Sequence, residues 1–362
     1  MRVVICGGGV IGACIAYFLS QRQVEVVVVE RTDIACAASG KSGGFLAMDW
    51  CDGTPLAPLA RQSFALHAEL AAKLGGWGYR RLDTLGVVAS ARRPLRGSGA
   101  GLPAWVAPDA VLQQQLGSTR TTAQIYPEQF TRGMMEAAIA GGAGLQKGEV
   151  TGVVRGADRV TGVLVGATPI EADAVVIAMG PWSLLACQWL PLPAVYGLKG
   201  HSVIVRSGAA SPHALFVEYE AEDGAVHAPE VFPRPDGTTY VCGLSAEAPL
   251  PLDPADVGTD AGAQATLNAM IRGFAPALAD AEVVAAQACY RPVTRDGLPL
   301  IGAVPGAPGA YVATGHSVWG MLNAPATGEA MAELITDGST AVDLAPFDPA
   351  RLPALPRDAI RA

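Results

Sequence analysis

RVVICGGGVIG, residues 2–12, joins an apolar strand-like run to a glycine-rich turn, and a helical stretch follows it to about Arg22. This order of elements is typical of the dinucleotide-binding turn of a Rossmann fold. In such a turn Gly7 permits the tight bend, Gly9 lets the backbone approach a pyrophosphate, and Gly12 lets the helix pack closely on the strand. The stretch therefore predicts a site in which phosphates lie at the N-terminus of the first helix.

An acidic residue follows at the spacing that this fold needs. A second strand, predicted from Val24 to Val29, ends in Glu30. Rossmann folds carry a carboxylate for the ribose hydroxyls about 20 residues beyond the glycines. A glycine-rich loop that binds no ligand is the alternative for an isolated GxGxxG motif. Because strand, glycines, helix, strand and acid occur here in register, the dinucleotide site is favoured.

The composition limits the classes of function. The 362 residues, 50% of them hydrophobic, are enough for two domains or one large α/β unit with a substantial core. A net charge of -8 without a run of Lys or Arg argues against nucleic acid or an anionic membrane surface as partner. The 7 cysteines show neither CxxC nor metal-type spacing, so we expect no metal site and a reducing compartment. With no apolar run of about 18 residues, we expect no membrane span and a cytoplasmic location.

The middle of the chain contains strands of two kinds. Residues 128–140 have helical spacing, and three apolar runs after them indicate strands: Val150 to Arg155, Val160 to Val165 and Ala174 to Ala178. The third run leads into a glycine turn at Gly180, which suggests a return to the first sheet. Alternation in Ser202 to Val205 and in Thr238 to Val241 predicts an antiparallel sheet in a second domain.

The last part of the chain returns to the strand–loop–helix pattern. A strand from Ala310 to Ala313 precedes a loop and a helix predicted from Ala324 to Asp337, with Pro325 in its first turn. A helix N-terminus that points at a cofactor carries partial positive charge and would favour an anionic ring. This arrangement is expected here.

Together these segments resemble the FAD-dependent D-amino-acid oxidase superfamily, which includes glycine oxidases, sarcosine oxidases and related amine oxidases. The resemblance spans nearly the whole chain and depends on five stretches: GGGVIG with Glu30-Arg31, ASGKSGGF (38–45), VVIAMGPWS (175–183), CYRPVTRDGLPLIG (289–302) and YVATGHSVWGMLNAPATG (311–328). DWCDG (49–53) together with GHSVWGMLN looks most like a little-characterised branch of the family. The residues alone leave FAD and NAD unresolved, and the resemblance implies FAD.

The resemblance also implies the architecture. The fold class is α/β with an α+β substrate part: a Rossmann-type FAD-binding domain and a second domain with a mixed or antiparallel sheet, as in glutathione-reductase-like flavoproteins. The expected FAD-binding domain is discontinuous, with residues 1–85, 140–195 and 285–362. The expected substrate domain has residues 86–139 and 196–284.

The expected FAD contacts come from the motifs and from the resemblance. Small residues in segment 38–45 allow backbone N–H groups to face an anion, with Lys41 adding charge, although a flexible Gly/Ser loop is the alternative. The expected contacts are Gly7, Gly9, Val10, Ile11, Gly12, Glu30, Arg31, Ser39, Lys41, Ser42, Gly43, Gly44, Phe45, Val150, Gly180, Trp182, Cys289, Gly315, Gly320, Met321 and Leu322.

Arg291 is the main clue to the substrate. Glycine and D-amino-acid oxidases have an Arg-Pro pair at the matching place, and the resemblance implies that Arg291 holds a substrate carboxylate. A planar guanidinium has paired donors that suit a carboxylate. The alternative is a structural arginine bonded to Asp296 or to a loop carbonyl.

Cys289 points toward another branch of the family. Sarcosine oxidases have a cysteine at the matching place that is joined to the flavin, and the spacing to Thr294 and Asp296 resembles theirs. The resemblance therefore implies a possible covalent FAD, whereas a buried, inert cysteine is the alternative. Because the chain combines this cysteine with Arg291, the substrate stays open between amino acids and secondary amines.

The flavin-facing loop supplies further candidates for the active site. His316 is expected either to polarise a substrate or flavin carbonyl or to close the loop against a backbone group. Trp319 and Met321 are expected to shape the cavity or to serve as plain core. For Lys199 and His201 a solvated strand end is expected.

The sequence therefore predicts an FAD-dependent oxidase of a small amino acid or a carboxylated secondary amine. The deprotonated amine gives hydride to the flavin, the imine hydrolyses, and dioxygen, the expected electron acceptor, becomes hydrogen peroxide. No general base is expected. Two alternatives stay open: a dehydrogenase of an amine or 2-hydroxy acid that passes electrons to a quinone or carrier protein, and a non-catalytic flavoprotein used for binding or trafficking.

Overall fold

The computed structural model describes residues 1–208 and 211–359. Residues 209–210 and 360–362 fall in the expected substrate and FAD-binding segments and lie outside the described residues. In the described part the helices are α1 (Val10–Ser20), α2 (Ala38–Lys41), α3 (Ala57–Leu74), α4 (Pro127–Ala140), α5 (Ala263–Phe274) and α6 (Gly320–Asp337). None of these helices is long and apolar enough to cross a membrane.

The strands of the described residues are short to medium in length. They are β1 (Arg2–Cys6), β2 (Glu25–Glu30), β3 (Phe45–Ala47), β4 (Arg80–Arg81), β5 (Asp83–Ser90), β6 (Val111–Gly117), β7 (Thr122–Gln124), β8 (Gly144–Lys147), β9 (Val150–Arg155), β10 (Val160–Val165), β11 (Thr168–Glu171), β12 (Ala174–Ile177), β13 (Tyr196–Arg206), β14 (His213–Glu220), β15 (Val226–His227), β16 (Glu230–Pro233), β17 (Thr238–Glu247), β18 (Val283–Val293), β19 (Leu300–Ala303) and β20 (Ala310–Thr314). Two sheets, named below, position the site.

The parallel sheet has the strand order β19-β20-β12-β1-β2-β8. Its strands run parallel except β19, which pairs antiparallel with β20 at one edge. The central strand β1 is apolar along its length because both of its faces are covered: Val3 and Ile5 pack among helices, while Val4 and Cys6 pack on the opposite face. The Rossmann-type arrangement predicted from the first residues is confirmed.

The large sheet has the strand order β18-β13-β17-β16-β14-β5-β6, with β15 paired to β14. Its pairs are antiparallel except β14 with β5, so the sheet is mixed, as expected. One face carries Val203 and Val217, which pack on Leu267 and Met270 of α5. Because side chains alternate along a strand, the other face carries a different set of residues, and this inner face lines the site.

The division into two domains stays a proposal, with two corrections to the expected boundaries. Strand β18 pairs with β13 from Tyr196 opposite Val293 to Val205 opposite Val283, so residues 283–293 belong to the large sheet. Helix α4 buries Phe130 and Met134 in the core that also contains α1, so residues 127–140 lie with the parallel sheet. Neither contact is visible in local sequence, because each partner lies far along the chain.

Helix α6 begins at Gly320, ahead of the predicted start at Ala324, and Pro325 lies inside it rather than in its first turn. Proline has no backbone N–H, so the carbonyl of Met321, one helical turn earlier, loses its normal partner. A proline at this depth ordinarily weakens a helix. Another element must therefore satisfy the freed groups.

Helix α3 supplies the missing partners. The Nε2 atom of His67 lies 2.9 Å from the Met321 carbonyl oxygen and 3.2 Å from that of Leu322. Ser63 Oγ accepts from the Ala326 N–H at 3.1 Å. Both α3 side chains are fully buried. Side chains of α3 thus bond the backbone groups that Pro325 leaves free and fix the position of the start of α6, which lines the site.

We expect His67 to link stability to acid pH. Burial lowers the pKa of His67 to about 4, below the ordinary value of a histidine in the unfolded chain. The stability from the neutral side chain is therefore complete above about pH 6.5 and is lost as the pH falls toward 4. Protonation linked to His67 should therefore lower the free energy of unfolding of the native protein by about 2 kcal/mol when the pH falls from 7 to 5.

Substitution of His67 separates this effect from other titrations. His67→Leu removes both hydrogen bonds and should lower the free energy of unfolding by about 2 kcal/mol at pH 7. Because the variant has no imidazole to protonate, this difference should nearly disappear at pH 5. Urea unfolding curves at the two pH values, at fixed FAD concentration, give the comparison. An equal difference at both pH values would contradict the neutral state of His67.

Candidate active site

A cavity of about 640 Å³ lies between the carboxyl ends of the parallel strands and the inner face of the large sheet. Its volume is in the usual range for cofactor and ligand sites. The edge formed by strand carboxyl ends is where open α/β sheets bind ligands. Among the described residues, no group of three or more His, Cys, Asp or Glu side chains is placed to hold a metal ion.

The cavity brings together residues predicted from distant parts of the sequence. They are Gly7, Gly9, Val10, Ile11, Glu30, Arg31, Ser39, Ser42, Gly43, Gly44, Phe45, Val150, Gly180, Trp182, Cys289, Arg291, Gly315, His316, Trp319, Gly320 and Met321. Gly12, Lys41 and Leu322 are not among the lining residues. Gly12 packs behind the turn and Leu322 is buried in α6, while Lys41 ends the short helix α2. The roles of all these residues toward a ligand stay proposals.

The turn after β1 has the geometry of a phosphate-binding turn. Gly7 has a φ of 114°, which favours glycine, and a Cβ at Gly12 would overlap the Gly7 carbonyl oxygen. The carboxylate of Glu30 accepts from the Gly8 N–H at 2.6 Å and from the Thr32 N–H at 2.8 Å. The acid predicted to face a ribose therefore also fixes the loop that would hold the pyrophosphate.

Segment 38–45 passes between the two sheets. Ser39 Oγ accepts from the Val10 N–H at 2.9 Å, so the segment touches the N-terminus of α1. A Cβ at Gly43 would overlap the Phe232 ring of the large sheet. Ser42 Oγ is buried without a hydrogen-bond partner in the described residues. A buried hydroxyl without a partner that lines the cavity is suited to a polar cofactor group.

A strap, residues 249–260, crosses from one sheet to the other beside the cavity. Trp182 Nε1 donates to the Pro251 carbonyl at 2.8 Å, and Tyr290 OH donates to the Pro249 carbonyl at 2.7 Å. Trp182 follows the parallel sheet and Tyr290 lies in β18, so the strap is tied to both. Pro254 of the strap lines the cavity.

The expectation that Lys199 and His201 lie at a solvated strand end is wrong, because the far end of the strap covers them. Both side chains are buried. Asp260 of the strap pairs with the Lys199 ammonium, and its carboxylate lies 3.2 Å from His201 Nε2. Local sequence could not predict this burial, because the partner Asp260 lies in a loop far along the chain.

Arg291 extends across the inner face of the large sheet. Its Nη2 donates to Ser245 Oγ, and the path crosses Gly200, where a Cβ would lie 3.6 Å from Nη2. Arg291 Nε is buried without a partner in the described residues. The alternative in which Asp296 holds this arginine is wrong, since Asp296 pairs with Arg351 at 2.7 Å. The guanidinium therefore retains donors that face the cavity.

His316 is a neutral group in this site. It is 3% exposed, and burial lowers its pKa to about 3. Its Nε2 lies 3.1 Å from Thr327 Oγ1 of α6, and its Nδ1 is buried without a partner in the part of the chain described. The loop is thus closed against a side chain rather than a backbone group. His316 can offer a hydrogen bond to a ligand, but it cannot supply positive charge at neutral pH.

Sequence reasoning predicted Phe45 but missed Phe216 and Phe232, which complete an aromatic wall of the cavity, and an acid within that wall. Phe45 stacks on Phe232 with 5.4 Å between ring centroids, and Phe216 lies 5.1 Å from Phe45. Glu230 faces the same cavity. The available signal was the order Glu230-Val231-Phe232, which places the acid on the face of the phenylalanine. That pattern becomes informative only when the face toward the cavity is known.

The parallel sheet, its glycine turn and this cavity define a dinucleotide-dependent oxidoreductase. The residues present fit FAD, since the glycine turn, the Ser42 hydroxyl and the unpaired Nδ1 of His316 suit a phosphate chain and a polar ring. The model of the family described as FAD dependent oxidoreductase (DAO) matches residues 2–334, and the chain belongs to that family. The protein is thus an FAD-dependent enzyme.

The similarity to known proteins extends over nearly the whole chain. A Schizosaccharomyces pombe protein named only as an oxidoreductase is 31% identical, covering 96% of this chain and 97% of its own. A glycine oxidase of Geobacillus kaustophilus is also 31% identical, covering 95% of each. The crystal structure of glycine oxidase from that organism matches with a TM-score of 0.80 and 26% identity, covering 97% of this chain and 99% of that one.

The placement of Cys289 tests the covalent alternative. It lines the cavity, and burial raises the pKa of its thiol, although Arg291 and Lys41 act in the opposite direction. Since the thiolate is the nucleophile, we expect FAD to be held without a covalent bond. After acid precipitation the flavin should be found in the supernatant, as read by absorbance and intact mass.

A matched cysteine serves as the control in that measurement. Cys36 lines the same cavity and is also a free thiol. Flavin that stays with the polypeptide in the native protein and in Cys36→Ala, but is lost in Cys289→Ala, would contradict the expectation and establish the covalent link.

Proposed function

We propose that the enzyme is an oxidase that acts on the C–N bond of a small amino acid or of a carboxylated secondary amine, and that dioxygen accepts the electrons to give hydrogen peroxide. The observation that carries this proposal is Arg291, a cation that faces the cavity with its Nε unpaired. A carboxylate is the group that best matches these donors.

The path of Arg291 supports this role. The guanidinium crosses β13 over Gly200, close enough that a Cβ there would be in ordinary van der Waals contact with Nη2. Ser245 of β17 then fixes the far end of the side chain. An arginine held in one orientation loses little entropy when it binds a ligand. Arg291 is therefore prepared to orient a carboxylated substrate by two parallel hydrogen bonds.

The other residues of the cavity have separate tasks. When bound, FAD supplies the acceptor for the hydride that leaves the substrate carbon. The glycine turn, Glu30 and segment 38–45 hold the cofactor, and the N-terminus of α6 favours negative charge on its ring. The aromatic wall of Phe45, Phe216 and Phe232 excludes water from the reacting atoms.

Similarity to glycine oxidases supports the substrate class. The Geobacillus kaustophilus relative is named for its action on glycine, the smallest carboxylated amine. Because the identity is 31%, the size of the substrate is set by the residues of this chain's own cavity and not by the similarity. Glycine and sarcosine are therefore the first substrates for measurement.

Substitution of Arg291 should weaken substrate binding selectively. Arg291→Ala removes the partner of the carboxylate and should raise KM for the carboxylated substrate about 100-fold, with FAD content unchanged. Initial rates against substrate concentration, with FAD measured by absorbance, give both quantities. Arg295→Ala is the control, since Arg295 lies in the same chain segment and is exposed. Equal KM values in the two variants would remove Arg291 from the substrate site.

The fate of the electrons is a separate prediction. Because we assign dioxygen as acceptor, each substrate molecule oxidised in air should yield about one molecule of hydrogen peroxide, a ratio set by two-electron transfer. Coupled peroxide detection beside imine-derived ammonia or methylamine measures this ratio. If turnover needs an added quinone and yields no peroxide, the enzyme is a dehydrogenase and not an oxidase.

A further inference from the structure

Glu230 lies in the aromatic wall, where an acid is out of place. In strand β16 it is opposite Phe216 of β14 and Cys242 of β17. Val231 points to the outer core and Phe232 back to the cavity, so Glu230 shares the inner face with an aromatic ring. Its recorded side-chain partner is weak: Cys242 Sγ donates to Glu230 Oε2 at 3.6 Å.

Glu230 and Arg291 are opposite charges in one cavity that do not form an ion pair. Neither takes part in a salt bridge within residues 1–208 and 211–359. The order β18-β13-β17-β16 puts three strand spacings, about 14 Å, between their strands, and Glu230 lies opposite Cys242, three residues along β17 from the Ser245 to which Arg291 donates. An enclosed carboxylate without a cationic partner is costly. Its retention beside an unpaired arginine indicates a ligand that carries both charges.

We propose that Glu230 binds the ammonium group of the substrate and accepts one of its protons. This inference rests on the proposed function, in which Arg291 holds the carboxylate of the same molecule. In the step, an N–H bond of the ammonium breaks, the proton moves to a Glu230 carboxylate oxygen, and the electron pair stays on nitrogen. The amine becomes neutral, the state from which hydride can leave the adjacent carbon.

The surroundings of Glu230 suit a proton acceptor. Burial raises the pKa of Glu230, while Cys242 and Arg291 lower it. A carboxylate with a raised pKa is a stronger base near neutral pH. The other titratable groups around it are Tyr240 of β17, whose own pKa is raised well above its ordinary value, and Glu218 of β14, which lines an adjoining cavity with Glu230. Arg291 is the cation among these groups.

Ligand binding gives a test that does not depend on turnover. Glu230→Gln keeps the shape of the side chain and removes its charge. At pH 7 and without oxygen, rapid mixing that follows the flavin absorbance change before reduction should show sarcosine binding at least about 10-fold more weakly to this variant than to the native enzyme. Glycolate, which has the carboxylate but no amine, should bind no more weakly. Arg291→Ala should weaken the binding of both ligands.

The rate of flavin reduction gives the second readout. With sarcosine under anaerobic single-turnover conditions, Glu230→Gln should be slower by about 100-fold at pH 7, within the usual contribution of a general base. At pH 10 a large share of free sarcosine is already a neutral amine, so the variant should recover to nearly the native rate. A residue with a purely structural role would not be rescued by high pH. Glu247→Gln, an exposed acid of β17, is the control and should follow the native profile.

Each outcome decides the matter. Selective loss of sarcosine binding with recovery at high pH supports the assignment. A Glu230→Gln variant with the native pH profile, or with a loss that persists at pH 10, overturns the role of Glu230 and leaves the proposed function intact. A native enzyme whose flavin is reduced by neither glycine nor sarcosine, and whose spectrum does not respond to glycolate, overturns the proposed function and the role of Glu230 with it.

Discussion

Backbone touches backbone where β1 meets α1, and the rest of the structure depends on this contact. The Gly7 carbonyl lies so close to Gly12 that no side chain fits between strand and helix, and Gly7 also lies against the backbone of Ala178 in the segment after β12. The end of strand β1, helix α1 and the segment after β12 therefore meet without intervening side chains. This contact fixes the N-terminus of α1 at the edge of the sheet, which is where Rossmann folds bind the phosphates of a dinucleotide.

The large sheet forms the opposite wall of the cavity, and in the proposed function it recognises the substrate. Gly43 lets segment 38–45 lie flat against Phe232, because a Cβ at this position would overlap the ring. Absence of a side chain thus brings the two walls together at this place. In the proposed function the parallel sheet holds the cofactor through backbone groups, and the large sheet recognises the substrate through charged side chains.

The sequence predicted those parts of the site that depend on local backbone geometry. Gly7, Gly12 and Glu30 could be identified because a turn, a close contact and a fixed spacing require them within about 30 residues. The resemblance to a family added Arg291, which lines the cavity and whose role toward the substrate stays a proposal. Strands β9 and β10 were also predicted with their observed bounds, since alternation and turn residues mark them locally.

Contacts between distant segments were not predictable in the same way. The start of α6 at Gly320 depends on His67, which replaces the hydrogen bond that Pro325 cannot make. The burial of Lys199 depends on Asp260, and the position of Glu230 in the cavity depends on the pairing of β16 with β17. In each case a local rule is broken, and the compensation comes from a partner whose position is set by the fold.

The strap has a consequence for the lifetime of the loaded enzyme. It is bonded to Trp182 beside one sheet and to Tyr290 in the other, and Arg31 at the cavity also donates to its Leu252 carbonyl at 3.0 Å. A cofactor that leaves past the strap must wait until several of these bonds open together. FAD that left along this path would therefore be released at the rate of a cooperative local opening of the strap.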